Sequence, residues 1–287
     1  MTALAARLPD GRLHLQHGPI DCLCRAWGDP SEIDSAYAQA AHACAAILPQ
    51  LCTELPQLRR PLPGPRPVGP VARAMHAACS PHAAGFITPM AAVAGAVADH
   101  VLTALTKDRT LTRAYVNNGG DIAFHLAPNQ TLRCGLVPDL AAPALGGLFT
   151  LHAHQPSRGL ATSGRACKGQ GGRSFSFGIA DAVAVLARTA ATADAAATVI
   201  ANAVDLPGHQ AINRRPATDI DPDSDLGPRP ITWHVADLTP PELQTALDAG
   251  RRVADALCAA GLIHAAVLTL CGQFAASGLT LPALEPA

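Results

Sequence analysis

The sequence predicts an α+β protein (α/β mixed), with antiparallel sheets and covering helices arranged in two lobes of one domain spanning residues 1–287. Three observations predict it. Polar and apolar residues alternate around a Gly-Pro bend between Leu13 and Cys24, as two short strands would. Asn117-Asn118-Gly119-Gly120 separates two further strand-like runs with a strong turn signal. Ala-rich stretches of helical period lie between and after these strands. With 49% hydrophobic and 15% charged residues, a chain of 287 residues can bury a core without disulfides or a structural metal.

The elements follow in order. After the Leu13–Cys24 strand pair, a covering helix runs from Ser31 to Leu55, opening on the capping-box spacing of Asp29 or Ser31 with Asp34. Residues 56–70 are too proline-rich for regular structure and form a stiff connector. Val71–Cys79 makes a short helix, and Met90–Leu105 a second one with the small residues Ala91, Gly95 and Ala98 on one face for close packing. Ala114–Val116 and Ile122–Leu126 form the hairpin around the Asn-Asn-Gly-Gly turn, and Thr131–Val137 and Leu148–His152 are further strands. Residues 160–180 read as a Gly/Ser/Arg-rich loop. Ala182–Leu186 is a strand, Thr192–Val204 a helix, and residues 207–230 a polar, proline-punctuated excursion. Ile231–Val235 is a strand, Pro240–Gly261 a helix capped by Thr239, and Leu262–Leu270 the final strand.

Charge excludes some partners. Twenty-one basic and 22 acidic residues leave no field to gather nucleic acid or anionic lipid, so the expected partner is a small-molecule ligand, with no nucleic acid and no membrane. A homodimer is compatible with these features. The first ten residues lack a signal-peptide core, which predicts a cytoplasmic protein. The nine cysteines have no zinc-type spacing and read as reduced core residues, with Cys22 and Cys24 pointing to one face of a strand.

Four passages could carry chemistry. Asn117, Asn118, Gly119, Gly120 and Asp121 can place backbone N–H groups around an anion or a flat ring, or simply make a tight turn. Thr162, Ser163 and Gly164, then Arg173, Ser174, Ser176 and Asp181, lie in a loop whose hydroxyls and guanidinium suit phosphate, or simply form a solvated surface loop. Asp194 and Thr198 share a helix face at i and i+4. Asp194 can serve as a first-turn acid, or the pair can hold magnesium through hard oxygen donors. His17 joins the candidates because its strand should lie beside the site. Asp219, Asp221, Asp223 and Asp225 crowd one loop, where the Arg214-Arg215 pair is expected to offset them rather than a cation.

The order of these passages resembles the ApbE superfamily of FAD:protein FMN transferase relatives. Its Lys-Gly-x-x-x-Asp helix is matched by Ala94–Asp99, its Asn-x-Gly-Gly-Asp turn by Asn117–Asp121, its Ala-Thr-Ser-Gly loop by Ala161–Gly164, and its Ala-Asp-x-x-x-Thr helix by Ala193–Thr198. A closer resemblance, nearly end to end, is to the UPF0280 (DUF375) family. It rests on Gln16–Asp21, Thr88–Ala96, Gly172–Val183, Asn202–Asp205 and Asp223–Gly227. The resemblance implies an ApbE-like fold, FAD or FMN as ligand, and Mg2+ held by Asp194 and Thr198. Two departures weigh against flavin transfer: Ala94 stands where the motif has lysine, and the His-x-x-Asp-Pro-x-x-Gly segment after the Thr-Ser-Gly loop is missing.

Three functions remain open on these grounds: an ApbE-like group-transfer enzyme, a non-catalytic module that holds or delivers a cofactor, and a transition-metal enzyme using His14, His17, His76, His82 and His125.

Overall fold

The computed structural model describes residues 2–136, 147–164 and 175–278, and its helices and antiparallel sheets form an α+β fold. Arg173 and Ser174 lie outside the described residues. The chain divides into two compact units that interleave in sequence: Met1–Arg133, Thr150–Ala161 and Ala187–Asp194 in the first, and Cys134–Phe149, Thr162–Leu186 and Ala195–Ala287 in the second.

The first unit is built on strands in the spatial order β1 (Leu4–Arg7), β2 (Leu13–His17), β3 (Ile20–Gly28), β4 (Leu111–Asn118), β5 (Asp121–Leu126) and β8 (Gly159–Ser163). The bend at Gly18 closes the β2–β3 hairpin, with Leu13 opposite Cys24 and His17 opposite Ile20. Alternation decides which side is inside: Leu13, Leu15, Ile20, Cys22, Cys24 and Ala26 are all buried. Burial also pushes the Cys22 thiol up and the Cys24 thiol up to about 12, so both are small core hydrophobes, as expected.

Helices α1 (Pro30–Leu58), α2 (Pro70–Cys79) and α3 (Val93–Thr106) complete this unit, with α1 and α3 packed on its strands. Helix α1 runs past Pro49 and Pro56, three residues beyond the sequence reading. Its buried stripe of Tyr37, Ala40, Cys44, Ile47, Leu51 and Leu58 supplies packing that offsets the prolines. Asp29 sits at its N-cap without a side-chain cap bond. The stretch Pro89–Thr106 is long and apolar enough to span a bilayer, yet its helix packs against β4 and β5.

In the second unit β9 (Ala182–Ala187), β12 (Ala265–Leu270) and β13 (Gln273–Gly278) form an antiparallel set, covered by α5 (Pro240–Ala259). Strands β10 (Ile212–Pro216) and β11 (Pro230–Val235) pair separately, as do β6 (Thr131–Leu136) and β7 (Gly147–His152). Helix α4 (Ala190–Ala203) begins in the first unit and ends in the second.

Four strands escaped the sequence reading. β1 is too short and exposed to alternate, and β13 follows Cys271-Gly272, both at positive φ, in a tight turn from β12. β8 occupies the start of what reads as a loop because Leu160 pairs with Ile122 and Gly159 permits very close backbone contact, its would-be Cβ lying 2.1 Å from Ala190 N. β10, rich in Arg and Pro, is fixed by β11 and by Arg214. That guanidinium bonds Asp205 at 2.5 Å, the Phe177 carbonyl and Thr232 Oγ1. It is thus committed away from the acidic loop, while Arg215 stacks on Trp233. In the loop itself Asp221 accepts the Asp223 N–H, a local turn bond.

Candidate functional site

The sharpest convergence lies at one end of the first unit's sheet, where the β2–β3 and β4–β5 turns meet. Register requires this: Cys22 lies opposite Asn118, and Asn118 opposite Asp121. Gly119 and Gly120 adopt φ of 67° and 106°, a conformation that side chains resist. A Cβ on either would meet nothing within 4 Å, so the turn faces open space. Asn117 Oδ1 accepts the Gly120 N–H at 2.9 Å and locks the turn from inside.

Asn118 joins three elements. Its Nδ2 donates to the Ala94 carbonyl at 3.1 Å, and its Oδ1 accepts the Asp21 N–H at 3.4 Å. The start of α3 is thereby tied to the hairpin ends. His17 and Asp121 are buried beside these residues, 5% and 7% exposed, while on the opposite face of the sheet His14 Nε2 lies 2.8 Å from Asp21 Oδ1.

Two carboxylates hold the first turns of α3 and α4. Asp99 on α3 accepts the Ala190 and Ala191 N–H groups at 3.0 and 2.9 Å, and Asp194 on α4 accepts the Gly95 N–H at 3.0 Å. Each helix therefore caps the other. Burial pushes the Asp99 carboxyl up to about 6, against the pull of its two N–H donors. Asp194 is raised for the same reason, opposed by the Gly95 and Ala94 N–H groups and reinforced by the charge of Asp99. Gly95 makes the approach possible: a Cβ there would lie 2.3 Å from the Ala190 carbonyl oxygen. Gly95 thus serves close contact with the start of α4.

This arrangement bears on magnesium. The ion takes near-octahedral oxygen coordination, usually from one or two carboxylates with water or phosphate. Asp194 and Thr198 lie one turn apart on α4, and one Asp194 oxygen, Oδ2, is engaged by the Gly95 N–H. The second Asp194 oxygen and the Thr198 hydroxyl are the hard donors that would hold the ion. Among the described residues no three His, Cys, Asp or Glu side chains gather as a metal cage. The histidines are dispersed for a simple reason: His14 and His17 stand an odd number of residues apart on β2 and so face opposite ways, while His76 on α2 is bonded to Gly64 and Ser80.

The remaining sequence-predicted residues belong to the second unit. Thr162 and Ser163 end β8, and Gly164, at φ 125°, presses on the Asp181 backbone with a would-be Cβ 2.6 Å from its oxygen. Asp181 Oδ2 accepts the Cys271 N–H at 2.5 Å. Ser176 donates to Asn202 Oδ1 at 3.2 Å, and the same oxygen accepts the Phe177 N–H at 2.9 Å. Asp181, Ser176 and Asn202 are thus bonded into the framework. Sequence reasoning passed over Asp99 as a site residue. Asp99 was visible only as the acid that closes the Lys-Gly-x-x-x-Asp pattern.

With this geometry in place, comparison with known proteins identifies the family. The family described as "AbpE bacteria" matches residues 5–276, and the chain belongs to it. Among relatives, it is similar to UPF0280 proteins of Methanobrevibacter smithii (38% identity over 40% of this chain and 46% of the relative), Methanothermobacter thermautotrophicus (40%, over 42% and 44%) and Methanococcus vannielii (39%, over 45% and 50%). The chain spans about half the length of these relatives in the matched regions. Among solved structures, the ApbE protein of Thermotoga maritima aligns over 88% of this chain and 77% of its own at 14% identity, with a TM-score of 0.39.

Proposed function

We propose that the protein binds a flavin-type nucleotide, FAD or FMN, at the Asn117–Asp121 turn, and that it holds or delivers this ligand without transferring FMN to protein. The observation that carries the reading is the open Gly119-Gly120 turn, held by Asn117 and tied through Asn118 to the start of α3. A turn without Cβ atoms lets a flat ring or a phosphate reach backbone N–H groups. Asp121 and His17 frame its base. Family membership makes a flavin the first ligand to test.

Loss of transfer follows from the residues present. Cleaving a pyrophosphate calls for stabilisation of phosphate charge and a group to activate the attacking hydroxyl. Ala94 offers no side-chain cation, and Asp194 caps a helix. A cytoplasmic location accords with the eight described cysteines, all free thiols.

Titration of FMN and FAD by flavin fluorescence, with and without Mg2+, tests the reading. Saturable binding that needs no Mg2+ and weakens about tenfold in Asp121→Ala, at unchanged melting temperature, is expected. Absence of saturable binding for both flavins would refute it. Mass spectrometry after incubation with FAD, Mg2+ and an acceptor peptide should find no FMN adduct, and an adduct lost in Asp194→Ala would overturn the non-transfer half.

A further inference from the structure

The face of the first unit's sheet turned away from its buried core carries a cluster that the flavin reading does not use. Trp27 on β3 lies directly opposite Arg113 on β4, and Arg25, two residues before Trp27 on the same face, lies opposite Tyr115. The Arg25 and Arg113 guanidinium carbons stand 5.0 and 4.6 Å from the Trp27 ring centroid, and the Tyr115 ring is 5.9 Å away, tilted by 53°. Two cations from adjacent strands therefore stack on one indole.

Neither guanidinium makes a direct ion pair, although beside the Arg12 N–H the charge of Arg25 helps to hold the Asp10 carboxyl down. None of the eight ion pairs among the described residues involves Arg25 or Arg113. The neighbouring cation Arg12 is already matched by Asp10 at 2.7 Å. Arg113 donates to the Thr131 carbonyl at 3.3 Å, and its Nε is buried with no hydrogen bond among the described residues. In a chain of net charge −1, two half-buried guanidiniums on one indole, neither in a direct ion pair, are a local feature. Stacking fixes each guanidinium plane while leaving in-plane N–H donors at its edge, the arrangement that grips oxyanions through paired hydrogen bonds.

We propose that this face is a phosphate-binding site, with Arg25 and Arg113 as the anion-binding residues and Trp27 holding both in place. Two fixed positive charges match a doubly charged phosphate, free or as a monoester, better than a single carboxylate. The proposal uses none of the residues of the Asn117–Asp121 turn, so its failure would leave the flavin reading untouched.

Trp27 supplies the probe. The chain has two tryptophans, so in a Trp233→Phe background the emission reports Trp27 alone. Inorganic phosphate and glycerol phosphate are titrated in turn at constant ionic strength, with chloride as the control. The expected result is a saturable change with one or both phosphates and none with chloride, weakened about tenfold or more by Arg25→Gln and by Arg113→Gln. Circular dichroism checks that each variant is folded, and Arg25→Lys, which keeps the charge but loses the planar fork, serves if a glutamine variant is not. A linear response, an equal response to chloride, or saturation unchanged in the folded variants would overturn the proposal and leave a purely structural stack.

Discussion

Helix α5 satisfies its first turn with its own residues, whereas α3 and α4 lend carboxylates to each other across 91 and 99 residues of sequence. At α5 the Thr239 side chain caps the N3 backbone while Glu242 reaches back to the Thr239 N–H at 2.7 Å, with Pro240 fixing the first turn. His209 Nε2 adds a contact at 2.9 Å, and these bonds hold the Glu242 carboxyl down at about 2. The two regions stabilise the same kind of backbone end, one by local chemistry in water alone and the other by carboxylates withdrawn from water, with a local Thr189 cap on the Thr192 N–H added at α4. The second arrangement is specific to one tertiary fold and is sensitive to both volume and pH.

The comparison breaks most visibly at Gly95. Gly95→Val should cost about 3 kcal/mol or more, since even a Cβ would meet the Ala190 backbone at 2.3 Å. Chemical denaturation measures it, and a loss under about 1 kcal/mol would mean that α3 and α4 can separate without penalty.

A smaller effect is expected from pH. The folded-state values of Asp99 and Asp194 are raised above the ordinary 3.8, so the folded protein holds protons that the unfolded chain releases. Their contribution is complete below about pH 4 and is lost as pH rises through the folded values, about 6 for Asp99. Asp99→Asn should therefore gain on the parent by about 1 kcal/mol between pH 5 and 7.5, whatever its absolute stability. Parallel melting-temperature curves across that range would show that Asp99 does not titrate there.

The least disruptive change lies at α5. Thr239→Ala should cost about 1 kcal/mol, with no change in pH slope between 5 and 7.5 because Glu242 stays ionised throughout. A cost comparable to that of Gly95→Val would erase the distinction between self-contained and shared caps.

The same contrast explains what the sequence made legible. Thr239, Pro240 and Glu242 are neighbours, so the start of α5 can be read directly, and the alternation of Leu13–Cys24 gave its strand pair and buried face. The Asn117–Gly120 turn was legible because a positive φ leaves a glycine signature. The partner of Asp194 was not: a first-turn acid, a metal ligand and a cap for another helix have the same residue at the same spacing. Only the fold brings Gly95 to it. β8 and β10 were missed because pairing with Ile122 and with β11, rather than their own composition, makes them strands.

The crossed caps also set an order for assembly on the ribosome. The first unit draws its last segment, Ala187–Asp194, from beyond more than half the chain, and both carboxylate bridges need it. A nascent chain stopped after β5 would hold most of this unit's strands but would leave Asp99 without its donors and the α3 start without its acceptor. The N-terminal half therefore cannot finish folding while it emerges alone. Its completion waits until residue 194 has left the exit tunnel, by which time much of the second unit has been synthesised as well.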